Sequence, residues 1–384
     1  APVLPPDWHI TADSSLTSYA AYLMQLHLQR SIQARLHNGA VLVIENATGN
    51  ILAWVGSNEY ADTEHSGQIN GVTVLNQSGS STKPFLYALA LEQGWKPSDI
   101  LPDIPIRFGK TQAYIPRNFN NRFNGPVRFR IALASSLNIP AVYLLDTIGM
   151  DAYVQKLEQL KFHDIRKKGF DAGLSLALGS VPVSLYELVR AFSVFPRGGM
   201  IIPLHSFFTS ATADGFTEPE RVYSADTARL ICAILSDSAA RVKGFGFSTA
   251  FKTPFPALFK TGNQYQSIVA LAASSAFTVG VWMGNFSGNT VMGKTGSSAP
   301  AAIARDILVR LHRHTAADDS GVPAQPFEEP QHWQRRFICT LSGMPASAAC
   351  PAEVLEYMPS AAAVRTAENM TCCTWHRRDA NGVQ

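Results

Sequence analysis

The sequence is poor in charge and contains neither a long hydrophobic run nor a cluster of basic residues. Only 16% of its 384 residues are charged, 46% are hydrophobic, and the formal net charge is +3. Disordered chains are more polar, and nucleic-acid-binding proteins normally carry a clustered basic surface, so both classes are disfavoured. No apolar stretch reaches the about 18 residues of a membrane span. Because the chain opens without Met or a signal peptide, we expect a processed or excised piece of a longer protein.

The five cysteines are few and unevenly placed. Cys232 lies in an apolar run and is expected to be a small buried hydrophobe. The other four, Cys339, Cys350, Cys372 and Cys373, fall near the C-terminus. Such a cluster indicates disulfides in an oxidising compartment or a metal site in a reducing one, and composition leaves both open.

The hydrophobic pattern predicts an α+β fold. Strands at hairpin spacing favour an antiparallel sheet with helices packed on it. A polar, proline-bearing linker at 316–330 is expected to separate a main domain at 1–315 from a small cysteine-bearing module at 331–384. The predicted elements are a helix over 16–36 ended by Asn38-Gly39, strands at 40–45 and 51–55, a long and mostly helical block, strands at 257–260, 267–272 and 277–284, and a helix over 301–311.

Ser80 and Lys83 form the only Ser-x-x-Lys in the chain, at the start of an apolar helical pattern. This spacing places both side chains on one helix face. An amine with a lowered pKa could then take the proton of the serine hydroxyl, which is otherwise a weak nucleophile. Taken alone, the tetrapeptide fits an N-cap serine followed by a solvated lysine better than a catalytic pair.

Two further short patterns carry polar groups. Ser136-Leu137-Asn138 lies in a loop-like stretch, where the hydroxyl could relay a proton and the amide could bind a substrate carbonyl. Lys260-Thr261-Gly262 ends a strand, where the lysine could attract a carboxylate and the glycine could let a substrate approach the backbone. Each pattern alone also fits an ordinary turn, and each has a duplicate, at Ser287-Gly288-Asn289 and Lys294-Thr295-Gly296. Of the two Lys-Thr-Gly tripeptides we favour the one at Lys260, because two strands follow it before the last helix.

The order Ser-x-x-Lys, Ser-x-Asn, Lys-Thr-Gly is that of the serine penicillin-recognising enzymes. The chain resembles the transpeptidase domain of class A penicillin-binding proteins, and its tail is similar to that of the penicillin-binding protein 1C subfamily. The resemblance implies a penicillin-binding protein/β-lactamase-like fold, with a five-stranded antiparallel sheet packed between helices and a small C-terminal module. Besides the three motifs, the resemblance rests on residues 82–87, 114–119, 132–142, 174–179 and 278–282. In the tail it rests on residues 338–343, 350–351 and 373–376.

The resemblance also implies a D,D-transpeptidase or D,D-carboxypeptidase that uses no cofactor. Ser80 would attack the carbonyl of the penultimate D-alanine of a peptidoglycan stem peptide. Lys83 would be the general base and Ser136 the proton relay. Asn138 would contact the substrate amide and the lysine. β-Lactams would acylate Ser80.

The remaining implied roles belong to the Lys-Thr-Gly strand. Lys260 and Thr261 would bind the terminal carboxylate, beside the open backbone of Gly262. The N–H groups of Ser80 and Asn263 would form the oxyanion hole. The resemblance further implies a periplasmic protein, anchored to the inner membrane through an upstream segment absent from this chain. Cell-wall synthesis proteins could contact the C-terminal module, and no nucleic acid is expected.

Two alternatives stay open for the function. Asn263-Gln264 stands where the family usually has hydroxyl residues, which suggests a catalytically weak scaffold or sensor. Separately, Gly288–Thr295 matches the phosphate-loop pattern of nucleotide-binding proteins, although Pro300 marks a later helix start.

The tail also has two interpretations. Cys339, Cys350, Cys373 and His376 could bind zinc as a Cys₃His set. With a periplasmic location we favour two disulfides, in which Cys372 and Cys373 take different partners, and we assign no metal ligand.

Overall fold

A computed structural model of the chain describes residues 8–109, 114–209, 218–313, 322–360 and 371–376. None of the helices within those ranges has the length and apolar character needed to cross a membrane. The helices are α1 (Ser14–Gln29), α2 (Lys83–Glu92), α3 (Phe129–Ala134), α4 (Asn138–Ile148), α5 (Met150–Gln159), α6 (Ile165–Ala172), α7 (Leu185–Phe192), α8 (Ala225–Leu235), α9 (Val242–Phe245) and α10 (Ala299–Leu311). The strands are β1 (Trp8–Ile10), β2 (Asn38–Glu45), β3 (Ile51–Val55), β4 (Asn76–Gln77), β5 (Ile100–Asp103), β6 (Gly125–Arg128), β7 (Pro182–Val183), β8 (Met200–Ile201), β9 (Phe207–Thr209), β10 (Glu220–Arg221), β11 (Leu258–Asn263), β12 (Ser267–Ala273), β13 (Phe277–Gly284), β14 (Trp333–Cys339) and β15 (Glu353–Pro359).

The central sheet has five antiparallel strands in the order β11-β12-β13-β2-β3. Both of its faces are covered. Leu42 and Leu271 point into a core shared with α2 and α7, whereas Val43 and Val281 point into a second core with α1 and α10. Every residue of β12 and β13 is therefore buried, which explains their continuous apolar runs. The predicted α+β class and sheet are confirmed.

The prediction for the first helix is wrong at its C-terminal end. α1 stops at Gln29, and a short 3₁₀ turn and a left-handed Arg35 (φ 53°) separate it from β2. Gly39 does not end a helix but lies inside β2, where an added Cβ would come within 2.1 Å of Met24 Sδ. The glycine thus marks a close approach of helix to strand, which a turn-forming dipeptide does not distinguish from a helix end.

Helix α2 is the centre of the helical block, and nine of its ten residues are buried. A helix that is apolar on all sides is surrounded by protein rather than solvent. Two buried tyrosines hold it at its start: Tyr153 Oη donates to Thr82 O at 3.2 Å, and Tyr223 Oη donates to Phe85 O at 3.0 Å. The N-terminal turn of α2 is therefore rigidly placed beneath the sheet edge.

The tail forms a hairpin, β14–β15, that is joined to the main domain by a buried ion pair. Glu356 is 1% exposed, and its carboxylate accepts from Arg130 Nη2 at 2.6 Å and from Arg128 Nη1 at 3.0 Å. Residues 322–330, the described part of the predicted linker, contain neither helix nor strand, and residues 316–321 lie outside the described ranges. The boundaries at 315 and 331 stay predictions.

Replacing Glu356 with alanine is expected to lower the free energy of unfolding by about 3–5 kcal/mol, because two largely buried guanidinium groups lose their shared carboxylate. Urea denaturation measures the change. The matched control is Glu353→Ala, an exposed glutamate on the same strand, for which we expect a change below about 0.5 kcal/mol. Equal unfolding midpoints for the two variants would contradict the role given to Glu356.

Candidate active site

Ser80 lies on a 3₁₀ turn, Gly79–Thr82, immediately before α2. The backbone N–H of Lys83 donates to Ser80 O, so the two residues are one turn apart, and side chains three positions apart on a 3₁₀ helix lie on the same side. The predicted helix therefore begins at Lys83 and not at the serine. Ser80 is half-buried and Lys83 is fully buried. The alternative of an N-cap serine with a solvated lysine is wrong.

The amine of Lys83 is held by the segment that carries the second motif. Its Nζ donates to Ser136 O at 2.7 Å, to Leu137 O at 3.0 Å and to Asn138 Oδ1 at 2.6 Å. Asn138 in turn donates through Nδ2 to Arg117 O at 2.7 Å. The Ser-x-x-Lys and Ser-x-Asn motifs, distant in sequence, thus meet at one amine.

Burial lowers the pKa of Lys83 well below the ordinary value of a lysine. Repulsion from the nearby ammonium of Lys260 acts in the same direction, and the negative charge of Asp103 opposes both. A lysine whose charged form is disfavoured can accept a proton near neutral pH. The environment therefore suits Lys83 to act as a base.

Ser136 occupies the loop between α3 and α4 in a left-handed conformation, with φ at 58°. Its hydroxyl accepts from Lys260 Nζ at 2.7 Å. A non-glycine residue in this region carries a conformational cost, and such strain is concentrated at functional sites. Ser287, in the duplicate Ser-x-Asn pattern, lies instead on an exposed turn after β13. The structure thus distinguishes the two patterns.

Lys260, Thr261, Gly262 and Asn263 lie on β11, an edge strand of the sheet, and the first three are buried. The 3₁₀ turn of Ser80 packs directly against this strand. An added Cβ on Gly262 would lie 2.0 Å from Ser78 O, so only glycine permits the approach. At the same contact an added Cβ on Gly79 would lie 2.8 Å from Asn263 N. The backbones that carry Ser80 and Asn263 are therefore adjacent.

The ammonium of Lys260 has an unusual environment for a cation. Burial, together with repulsion from Arg241, lowers the pKa of Lys260 to about 7. Its Nζ also donates to Thr261 O at 2.9 Å. The group is thus a poorly solvated amine at the sheet edge, whose charged form an anionic ligand would stabilise.

Sequence reasoning missed the residues behind the lysines. Asp103 is fully buried, and both of its oxygens accept from Asn118 Nδ2, at 2.7 and 3.0 Å. Asn118 Oδ1 then accepts from the backbone N–H of Asn138 at 2.8 Å. This series of hydrogen bonds holds Asn138 in place, and the side-chain amide of Asn138 binds Lys83. An acidic residue at the end of a short strand carries no local signal of such a role.

The phosphate-loop alternative does not fit the structure of residues 288–295. Two N–H groups that would have to cradle a phosphate donate elsewhere, from Val291 to Tyr265 O at 2.7 Å and from Met292 to Ala34 O at 2.9 Å. The segment also does not run directly into a helix, because a turn intervenes before α10 begins at Ala299. A phosphate loop needs its N–H groups free and its helix immediately behind it.

Comparison with known proteins shows the family of the chain. The family model of the penicillin binding protein transpeptidase domain, which describes sequences, matches residues 39–308. Penicillin-binding protein 1C of Escherichia coli K12 is 28% identical over 307 residues, which are 79% of this chain and 38% of that protein. Penicillin-binding protein 1A of Haemophilus influenzae is 35% identical over 167 residues, 43% of this chain and 19% of that protein. The chain thus spans well under half the length of these relatives.

Solved structures show the same fold. The crystal structure of penicillin-binding protein 1A from Haemophilus influenzae superposes with a TM-score of 0.68 at 25% identity, covering 84% of this chain and 53% of that one. Penicillin-binding protein PonA1 from Mycobacterium tuberculosis gives a TM-score of 0.66 at 17% identity, covering 84% and 91%. With the family match extending over more than half of its residues, the chain belongs to the penicillin-binding protein transpeptidase family.

Proposed function

We propose that this chain is a serine D,D-transpeptidase that cross-links peptidoglycan stem peptides and is acylated by β-lactams. The observation that carries the proposal is the buried amine of Lys83, one turn from Ser80 and bonded to the loop of Ser136 and Asn138. On the other side of that loop, the hydroxyl of Ser136 is bonded to a second buried cation, Lys260. A nucleophile, a base, a relay and an anion site thus lie at one sheet edge.

In the first step, Ser80 Oγ attacks the carbonyl carbon of the penultimate D-alanine and Lys83 takes the hydroxyl proton. In this structure Ser80 Oγ has no hydrogen bond to another described residue. Catalytic hydrogen bonds often form only in the substrate complex. The proton then passes through Ser136 to the amine of the departing D-alanine, and an ester to Ser80 remains.

The substrate is held by the edge strand. Lys260 and Thr261 bind the terminal carboxylate, and the backbone N–H groups of Ser80 and Asn263 stabilise the oxyanion. The Asn263 side chain takes no part, because its Oδ1 accepts from Gly296 N at 2.6 Å. In the second step, an amine from another stem peptide attacks the ester and releases Ser80. Water in place of the amine would give D,D-carboxypeptidase activity.

The pH dependence of acylation follows from the two lysines. The rate should fall on the acid side as Lys83 gains a proton, which its lowered pKa places well below the usual lysine range. It should fall on the alkaline side as Lys260, with a pKa of about 7, loses the charge that attracts the carboxylate. Stopped-flow measurement of acylation by a chromogenic β-lactam at varied pH tests this bell shape. Lys260→Arg should remove the alkaline fall, since guanidinium stays charged; an unchanged alkaline limb would contradict the role of Lys260.

The second candidate is a penicillin-recognising scaffold that acylates slowly or not at all. The side chain of Asn263 supplies no hydroxyl to a carboxylate, which favours weaker substrate binding than in the family pattern. The two candidates differ in turnover. The test is incubation with a soluble D-Ala-D-Ala peptide and an amine acceptor, followed by mass spectrometry. The enzyme should release one D-alanine per cross-linked or hydrolysed product. The scaffold would release none, and a fluorescent penicillin would label it slowly or not at all.

We further propose a periplasmic location, with an upstream segment of the whole protein as anchor, since peptidoglycan is cross-linked there. The transpeptidase domain would extend over residues 1–315, joined by the linker at 316–330 to the module at 331–384. That module would contact other cell-wall synthesis proteins. Limited proteolysis that cuts first within 316–330 would support the linker, and cuts confined to other loops would contradict it.

A further inference from the structure

Four potential metal ligands converge in the tail, at a site that the transpeptidase mechanism does not use. Cys339 ends β14, Cys350 precedes β15, and Cys373 and His376 lie in the described segment 371–376. One donor atom from each lies within 4.8 Å of the others, and no other such group occurs in the described ranges. Three separate segments thus bring soft ligands to one point.

Two of the distances between the donors match the edges of a tetrahedral zinc site. Zinc binds cysteine sulfur at about 2.3 Å and histidine nitrogen at about 2.0–2.1 Å, so the edges of its tetrahedron are about 3.6 Å from sulfur to nitrogen and about 3.8 Å from sulfur to sulfur. His376 Nδ1 lies 3.6 Å from Cys339 Sγ and 3.4 Å from Cys373 Sγ. All four donors lie within 4.8 Å of one another, which is close enough for one metal ion to bind them together.

Hydrogen-bond donors point at two of the sulfurs. Ser347 N donates to Cys350 Sγ at 3.3 Å, and Ser342 Oγ donates to Cys373 Sγ at 3.2 Å. Such donors stabilise negative charge on sulfur, and outer contacts of this kind orient and tune the ligands of metal sites. The same donors would interact more weakly with the neutral sulfurs of a disulfide.

The disulfide alternative does not account for the cluster. All five cysteines are unpaired in the structure. Three sulfurs in one place cannot all pair with one another, and Cys372, the remaining cysteine of the tail, is exposed and lies outside the cluster. A disulfide also leaves the presence of His376 beside the three cysteines unexplained. A metal explains all four side chains at once.

We propose that Cys339, Cys350, Cys373 and His376 bind a structural Zn²⁺ ion. The protein supplies all four ligands, which is the closed arrangement of structural rather than catalytic zinc sites. Two of the ligands, Cys339 and Cys373, are buried. The ion would fasten the segment 371–376 to the β14–β15 hairpin, where Cys373 N already donates to Pro345 O at 2.7 Å. The site and the transpeptidase function are independent proposals.

The test is the metal content of the purified chain after equilibration with Zn²⁺ and removal of excess, measured by plasma mass spectrometry. We expect about one zinc per chain in the wild type and in the matched control Cys372→Ser, and less than about a tenth in Cys339→Ser and Cys373→Ser. His376→Ala should weaken zinc binding by about 100-fold or more, since even outer contacts of metal ligands account for 10–100-fold.

Cobalt gives a readout that does not depend on the variants folding. Wild-type protein loaded with Co²⁺ should show the intense visible bands of a tetrahedral thiolate site, and Zn²⁺ should displace them. A wild-type chain that binds neither metal, or that contains two disulfides by intact mass, would overturn the proposal. Zinc retained by Cys339→Ser would overturn it as well. β-Lactam labelling of the same samples reports separately on the transpeptidase site.

Discussion

Replacing Ser80 with alanine should reduce D-alanine release from a D-Ala-D-Ala peptide to background, a loss of about 10⁴-fold or more. The expected loss is this large because nucleophile, base and relay act as a unit, so removing the nucleophile forfeits what the other groups contribute. The substitution removes one half-buried hydroxyl that has no hydrogen bond to another described residue, so the fold should be preserved. Release of D-alanine is followed by a coupled amino-acid oxidase assay.

The matched control is Ser287→Ala, a serine on an exposed turn. We expect it to keep wild-type turnover and an unchanged melting temperature. If Ser80→Ala keeps more than about a tenth of the wild-type turnover, the nucleophile lies elsewhere and the mechanism proposed here is wrong.

Replacing Lys83 with methionine should slow acylation by about 10²–10⁴-fold, the usual contribution of a general base. Methionine has nearly the length of lysine and fills the same buried space without an amine. Acylation by a chromogenic β-lactam measures the rate, and circular dichroism checks the fold. Some loss of stability is also expected, because Ser136 O, Leu137 O and Asn138 Oδ1 would all lose their donor.

The control for this variant is Lys294→Met, in the duplicate Lys-Thr-Gly tripeptide. Lys294 is half-buried and precedes α10, and no role in the chemistry is given to it. It should acylate at the wild-type rate. A folded Lys83→Met protein that acylates as fast as wild type would show that another group takes the proton.

Much of the fold could be predicted from the sequence because its strands are buried on both faces. Short apolar runs rich in β-branched and aromatic residues, such as β12 and β13, predict buried strands when turn residues flank them. The end of α1 could not be predicted, because Gly39 reflects packing against Met24 and not a turn. The spacing of apolar residues can be read from a short stretch of sequence. The side chain that packs against a glycine cannot, because it depends on the folded structure.

The candidate site also has a part that the sequence predicts and a part that it does not. The three motifs were visible because each is a short run with its own spacing, and the structure brings Lys83, Ser136 and Lys260 together. The supporting hydrogen bonds from Asp103 through Asn118 could not be assigned: Asn118 lies in the segment 114–119 that belongs to the resemblance, but no spacing gives it a role, and nothing near Asp103 in sequence marks it. The same holds for the contact of Glu356 with Arg130, which are 226 positions apart. Long-range polar pairs depend on the fold already being formed.

The most direct test of the central claim is to locate the acyl group. The protein is incubated with a β-lactam, digested, and sequenced by tandem mass spectrometry. We expect one adduct per chain, as an ester on Ser80. An adduct on any other residue, or no adduct on a folded protein at saturating β-lactam, would contradict the claim that Ser80, Lys83 and the edge of the sheet form an acylation site.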